Sequence, residues 1–393
     1  MTLLATLPQQ DEDPILALAT AYRADPREDR IDLGIGVYRD ADGRTPVMRA
    51  VKAAERKLVE AQESKIYTGL AGDPGFAEAM TALILGEAAP TDRLAWAASV
   101  GGTGAVHHAM QLMRMARPEA TVWLPDPTWP NHPGIARHVG LRTRPYRYAD
   151  PASGGVAVDA MLDDLGHAGA GDVVLLHGCC HNPTGADPTP PDWDAVAGVL
   201  ERTGAVPLVD LAYQGLGDGI EADAAATRAL VARLPEAMVA ASCSKSFGLY
   251  RERAGILLVA SEAPARAQAA LATLNRLTYS FPADHGARVV ETVLRDAALR
   301  AEWEAELGAM RDRMRALRRA LAHALRDRTG SDRHGMLAAH RGMFSRLALP
   351  PGGVEALRRD HGVYLVGGGR MNVAGLSEAA VPRVADAIVA VGG

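Results

Sequence analysis

The chain has 393 residues, enough to bury a sizeable core in two domains. Apolar residues make up 48% and charged residues 23%, as in an ordinary soluble globular protein, and a formal net charge of −5 argues against nucleic acid or anionic membrane as a partner. No apolar run approaches the roughly 18 residues of a membrane span, and Asp11, Glu12 and Asp13 stand where a secretory leader needs a basic start, so a cytoplasmic protein is expected.

In chain order, the first landmark is Gly34-Ile35-Gly36-Val37-Tyr38. It begins like a dinucleotide fingerprint, but Arg39 occupies the place of the third glycine and no first βα unit precedes it. A nicotinamide-dependent dehydrogenase would also leave Lys245 and Asp210 without a task. Gly101-Gly102-Thr103-Gly104-Ala105 then opens a helical pattern carrying Val106, Met110 and Met113. Glycines at a helix start expose backbone N–H groups and the positive end of the dipole, which suits a phosphate, although such a loop can also be a plain turn.

Apolar runs at residues 121–124, 173–176, 206–209, 237–241 and 255–260 end in polar punctuation, with helical patterns at 192–202 and 227–234 among them. Short buried strands alternating with helices predict an α/β fold with a largely parallel sheet. Leu299, Trp303, Leu307, Met310, Met314, Leu317, Leu321 and Leu325 recur at steps of three and four, which is one long amphipathic helix bridging two domains. The arginines between 311 and 328 lie on that pattern among acidic residues and read as its solvated face. Strand-like stretches at 343–347 and 363–366 and a helix from Glu378 make a smaller second domain. The expected division is 44–308 for the large domain, with 1–43 and 309–393 forming the small one.

Open α/β sheets bind ligands at the carboxyl ends of their strands. Asp210 stands at such an end, in Val206-Pro207-Leu208-Val209-Asp210-Leu211-Ala212-Tyr213. A carboxylate there needs a cation or a donor, such as a ring N–H, unless it only caps the next helix. His181-Asn182-Pro183-Thr184-Gly185 offers an amide beyond another strand. Pro125-Asp126-Pro127-Thr128-Trp129-Pro130-Asn131-His132 holds a tryptophan in a proline-stiffened loop, suited to stacking on a flat ring or to plugging the core. Cys179-Cys180-His181 has no second ligand cluster elsewhere, so no metal is expected.

The most informative tract is Ser242-Cys243-Ser244-Lys245-Ser246-Phe247-Gly248-Leu249-Tyr250-Arg251-Glu252-Arg253. It sets a lysine among small hydroxyl residues beyond a strand, with an arginine eight positions on. Such a lysine can form a Schiff base with a carbonyl cofactor, while the serines and Arg253 hold a phosphate.

Together these segments, with Gly369-Arg370-Met371-Asn372-Val373-Ala374-Gly375, resemble the class I aminotransferases, pyridoxal-phosphate enzymes of fold type I. The resemblance runs from Asp13-Pro14-Ile15-Leu16 to the C-terminal helix, within the branch of aspartate and aromatic amino-acid aminotransferases. It implies that Lys245 holds pyridoxal 5'-phosphate covalently and, once released, carries a proton to and from the substrate. It implies that Asp210 keeps the ring nitrogen protonated, that Tyr213 and Asn182 bond the ring oxygen, and that Trp129 stacks on the ring. His132 would support Asp210, with His181 close by. Gly102, Thr103, Ser242, Ser244 and Arg253 would hold the phosphate, with Tyr67 reaching it from the other subunit of a homodimer. Arg370 would clamp the substrate α-carboxylate beside Gly36, and Arg276, donated across the dimer, a distal carboxylate.

The implied reaction is ping-pong transfer of an amino group from an amino acid to a 2-oxo acid, usually 2-oxoglutarate. Arg276 implies that aspartate and glutamate are accepted. Ile66 and Phe281 stand where aspartate-specific relatives tend to carry asparagine, while Thr45 and Thr103 follow the dicarboxylate pattern. The expected enzyme acts on aromatic amino acids plus aspartate or glutamate. A strict aspartate aminotransferase is the alternative, and a catalytically inactive pyridoxal-phosphate-binding protein a remote one.

Overall fold

Period-two alternation in short aliphatic runs builds the centre of the molecule. The computed structural model describes residues 2–9, 14–87 and 89–393; the acidic trio at 11–13 lies outside the described residues. Seven strands form one sheet in the order Leu94–Val100, Ala254–Ala260, Ala237–Ser242, Val206–Leu211, Val173–His177, Thr121–Asp126 and Arg142–Arg147. Ala254–Ala260 runs antiparallel to both neighbours and the other pairings are parallel. The largely parallel sheet expected from the sequence is therefore present.

The inner strands are buried along their whole length, so both faces of the sheet must be covered. Val173, Leu175, Leu208, Met238 and Ala240 point into a core closed by Val106 and Met110 of helix Gly101–Ala116 and Leu271 of helix Pro264–Thr278. Their neighbours Val174, Leu176, Val209, Val239 and Ala241 point to the opposite core, with Met80, Leu230, Val293 and Trp303. Each strand thus feeds two cores, one per face.

Two strands escaped the sequence reading. Leu94–Val100 is largely alanine on its buried face, and Arg142–Arg147 is an exposed edge strand in which only Tyr146 is buried.

The long helix spans Ala297–Thr329, 33 residues, begun by Asp296, whose carboxylate accepts from the Ala298 and Leu299 amides. Trp303, Leu307 and Met314 pack in the sheet core, whereas Leu317, Leu321 and Leu325 join a separate core with Leu33, Leu357, Val363 and Ile388. Two small pairings organise that second core. Ile31–Asp32 runs parallel to Val363–Tyr364, and Arg370–Asn372 antiparallel to Phe344–Arg346. Both C-terminal strands are shorter than the apolar runs that announced them, and helix Val381–Ala390 begins after a 3-10 turn at Glu378–Ala380.

Candidate active site

Three parallel strands deliver the polar groups. Pairing in register sets His177 beside Asp210, at the carboxyl ends of Val173–His177 and Val206–Leu211, where an open α/β sheet binds ligands. Asp210 is buried, and its Oδ2 lies 3.0 Å from His132 Nε2. A carboxylate only accepts, so Nε2 carries the hydrogen. His132 Nδ1 lies 2.7 Å from the Thr128 hydroxyl, which is also 3.3 Å from His177 Nε2. Burial disfavours the Asp210 charge, but the His132 hydrogen bond and the Lys245 charge outweigh it and hold the carboxyl below its ordinary value. Burial pushes His177 down to about 3, so it does not compete as a cation.

Lys245 lies across the same cavity, its Nζ 5.1 Å from the Tyr213 ring centroid. Burial lowers the ammonium from its ordinary value, against the pull of Asp210 and with the push of Arg253. Tyr213 is buried too, and desolvation followed by the Asp210 charge raises its phenol far above the usual range. The lysine loop is pinned at its next two residues. Ser246 Oγ donates to the Gln214 carbonyl (2.7 Å), Trp303 Nε1 donates to the Ser246 carbonyl (2.7 Å), and Phe247 stacks on the Trp303 ring at 4.5 Å.

The other end of the cavity is a cup for an anion. Helix Gly101–Ala116 starts there without a side-chain cap; the Gly101 amide donates to the Arg253 carbonyl (2.7 Å), which leaves the N–H groups that follow it for something else. Gly101 has φ +64°, and a Cβ on it would lie 2.6 Å from the Arg253 guanidinium; one on Gly102 would lie 2.9 Å from Ser242 Cβ. Only glycine lets helix, serine and arginine converge. Arg253 itself adopts φ +53°, a costly conformation for a non-glycine residue, and donates to Ser244 Oγ at 3.3 Å. Ser242 Oγ in turn accepts from the Ser244 amide (3.2 Å). Thr103 completes the cup.

Trp129 and Asn182 form the cavity walls. Trp129 is partly exposed into the cavity and meets His132 edge-on, so it is not a core plug. Asn182 is buried, and its Oδ1 has no protein partner. His181, expected nearby, lies behind the cavity wall: it is fully buried, 4.2 Å from the ring of the cavity-lining His177, stacked on Tyr148 at 3.8 Å and 2.8 Å from the Thr184 hydroxyl. The Asp187 carboxylate fixes this loop by accepting from the Cys180 and His181 amides (2.7 and 2.8 Å). Cys179, Cys180 and Asp223 form a buried group with potential metal-ligand atoms, but Asp223 already accepts from the Gly215, Gly217 and Asp218 amides.

Arg370 approaches from the second core. It is buried, donates from Nη2 to the Gly34 carbonyl (2.8 Å) and lies 4.7 Å over the Phe344 ring, which meets Tyr213 edge-on at 6.1 Å. Its Nε has no protein partner, and a buried guanidinium with a free donor calls for an anion. A Cβ at Gly36 would come within 3.3 Å of Phe344, so a small residue is required there. Asn372 holds the Gly36 loop by donating to the Ile35 and Val37 carbonyls (2.6 and 2.8 Å).

Tyr67 and Arg276 are not brought to this cavity. Both are exposed on the chain's own surface, close to each other through Phe281, which stacks on Tyr67 at 4.7 Å. The sequence reading also missed His177, Thr128 and Asp187. His177 was discoverable as the polar residue directly following an apolar strand; nothing local marked the other two.

The geometry agrees with what the chain is similar to. The family model described as aminotransferase class I and II matches residues 28–388. An aromatic-amino-acid aminotransferase of Paracoccus denitrificans is 53% identical over 99% of this chain and 100% of its own length. An aspartate aminotransferase of Haemophilus influenzae is 41% identical over 96% of this chain and 97% of its own. Among solved structures, an aromatic amino acid aminotransferase with 3-indolebutyric acid superposes with a TM-score of 0.97 at 52% identity, covering 100% of both chains. The aromatic-amino-acid aminotransferase of Burkholderia pseudomallei, covalently bound to pyridoxal phosphate, does so with a TM-score of 0.97 at 39% identity, again over 100% of both. With a matching family model over most of its length, the chain belongs to the class I and II aminotransferases.

Proposed function

We propose that this pyridoxal-phosphate-dependent aminotransferase takes the amino group of aromatic amino acids and of aspartate or glutamate and delivers it to a 2-oxo acid such as 2-oxoglutarate. The observation that carries it is one cavity with the half-buried Lys245 and Asp210 at one end and an uncapped helix start with Arg253 at the other. That donor set fits the cofactor: cup for phosphate, Asp210 for a ring N–H, Asn182 and Tyr213 for a ring oxygen, Trp129 for a ring face.

When bound, the cofactor supplies an electron sink for the substrate's Cα bond. Lys245 is the residue that would hold it covalently, and its Nζ, when free, would take the Cα proton and return it. Burial makes Nζ a weaker acid-holder than an exposed lysine, which suits a base near neutral pH. Asp210, oriented by His132, keeps the ring nitrogen protonated. Arg370 binds the α-carboxylate through the donors that Gly34 leaves free, and Phe344 beneath it excludes water.

Tyr67 and Arg276 serve the site of a second copy in a homodimer. Their exposure in one chain, beside exposed Ile66 and Leu277, supports this. The division into residues 44–308 as one domain, with 1–43 and 309–393 as the other, is supported by the separate core of Leu33, Leu317, Leu357 and Ile388. Tyr38, Met310, Met314, Met343 and Phe344 pack with the sheet core across that division. The 53% identity to an aromatic-amino-acid enzyme, with apolar Ile66 and Phe281, favours the broad substrate range. Thr45 and Thr103 favour the second reading, a strict aspartate aminotransferase.

Mixing the holoenzyme with aspartate or with phenylalanine and following the visible spectrum separates the two. Rapid loss of the lysine-bound cofactor's band near roughly 360–430 nm with both amino acids is expected. Loss with aspartate alone leaves the strict enzyme, and no band after adding cofactor removes the assignment.

A further inference from the structure

Asn182 lines the cavity, yet no protein group grips its Oδ1. Its aim is therefore set by the backbone that carries it, and that backbone is bent in a costly way. Cys180, just before it, adopts φ +54°, left-handed for a residue with a side chain. Consecutive N–H groups around such a residue form a concave nest for an anion. Here the anion belongs to the chain itself: Asp187 Oδ2 accepts from the Cys180 amide (2.7 Å) and Oδ1 from the His181 amide (2.8 Å). One carboxylate thus fixes two successive peptide planes directly before Asn182.

Other groups hold the segment after Asn182. The Gly185 amide donates to the His181 carbonyl (2.8 Å), the Arg341 amide to the Gly185 carbonyl (2.7 Å), and the Tyr148 hydroxyl to the Ala186 carbonyl (2.8 Å). Around Asp187 stand the cations Arg341 and Arg318, the anion Asp223 and the uncharged Cys179, Cys180 and Tyr148. Burial lifts Asp187 to about 6, so it is charged at neutral pH and the nest is then filled.

We propose that Asp187 is a positioning residue for the cofactor: by filling the nest before Asn182 it aims the Asn182 amide at the cofactor's ring oxygen. This rests on the proposed cofactor site. A donor on that oxygen draws off negative charge that otherwise favours a proton on the neighbouring lysine-bound nitrogen. Through Asn182, Asp187 thereby lowers the pH at which that nitrogen loses its proton. Its own negative charge acts in the opposite direction, so the two effects differ in sign.

The experiment titrates the visible band of the holoenzyme, without substrate, in the wild type, Asp187→Asn, Asn182→Ala and the double variant. Asn182→Ala is expected to raise the midpoint by about one pH unit, the size of one charge-assisted hydrogen bond. Asp187→Asn keeps the shape but leaves one amide of the nest without an acceptor. It is expected to raise the midpoint by about half a unit and to add nothing in the Asn182→Ala background. An unchanged midpoint overturns the role. So does a fall, which loss of a nearby negative charge alone would produce. A further rise in the double variant overturns it too, because Asp187 then acts by a route other than Asn182. A band that Asn182→Ala leaves unmoved removes the ring-oxygen contact and the positioning role with it. No band in the wild type removes the cofactor assignment instead. If Asp187→Asn does not hold cofactor, Asp187→Ser, whose hydroxyl can accept from one of the amides, carries the same test.

Discussion

The cofactor cavity and the Tyr67–Arg276–Phe281 patch are built on opposite plans. Around the cavity the polar groups brace one another, Asp210 by His132, His132 by Thr128, and Ser246 behind the lysine by Gln214 and Trp303, with Asn182 Oδ1 left without a protein partner. In the patch Arg276 is exposed, and its partners are a hydroxyl and a ring. Under the proposed roles, one chain supplies a braced half-site for chemistry that does not vary and, to its partner, an arm free to move for the part of the substrate that does.

The sharpest way to break this contrast is Lys245→Ala. It should cut turnover by about 10⁴-fold or more and erase the visible band of lysine-bound cofactor; substantial steady-state activity would end the assignment of the base. Next in size are the two arginines. Arg370→Ala should lower kcat/KM for aspartate and phenylalanine alike, whereas Arg276→Ala should cost aspartate about 10²-fold more than phenylalanine. Equal behaviour of the two variants would erase the distinction between fixed and movable ends.

A smaller effect concerns how the lysine is steadied. Trp303→Phe keeps the stack on Phe247 but strands the Ser246 carbonyl. A loss of about 1–3 kcal/mol is expected in urea unfolding; no loss would mean the loop is held elsewhere. The gentlest test is pH. Burial lowers His177 to about 3, His340 to about 4 and His181 well below its usual value, so all three stay neutral in the folded chain. Their stabilising contribution is present above the unfolded histidine value near 6.5 and is lost as pH falls below it, each at up to about 1.4 kcal/mol per pH unit. Asp187, raised by burial to about 6, opposes this between its unfolded value and 6. Thermal melts should therefore drop from pH 7 to pH 5. His340→Gln, which lies outside the cofactor cavity, should flatten that slope; an unchanged slope would show that His340 is charged when folded.

The sequence made the strand ends legible because aliphatic runs stop abruptly at Asp210, Ser242 and the residue before His177. Short apolar runs ending in polar residues located five of the seven sheet strands, and a period of 3.6 located the long helix. The rest was hidden for physical reasons. Leu94–Val100 relies on alanines packed under Gly101–Ala116, and small residues carry little pattern. The edge strand Arg142–Arg147 shows water its arginines and buries only Tyr146, so it reads as loop. Thr128 and Asp187 bond to residues only four to seven positions away, His132, Cys180 and His181, but through irregular loop turns that no apolar periodicity announces. His181 sits behind the cavity wall, packed between Tyr148 and His177, close by as the resemblance implied.

The indole of Trp303 grips the residue next to Lys245, and indoles emit light where a lysine-bound pyridoxal group absorbs. Energy transfer at such close range dims the emitter, so filling of the cavity is readable as quenched tryptophan fluorescence. The same helix carries Leu317, Leu321 and Leu325 into the C-terminal core. That reporter therefore sits on an element that runs through both cores and needs no added label.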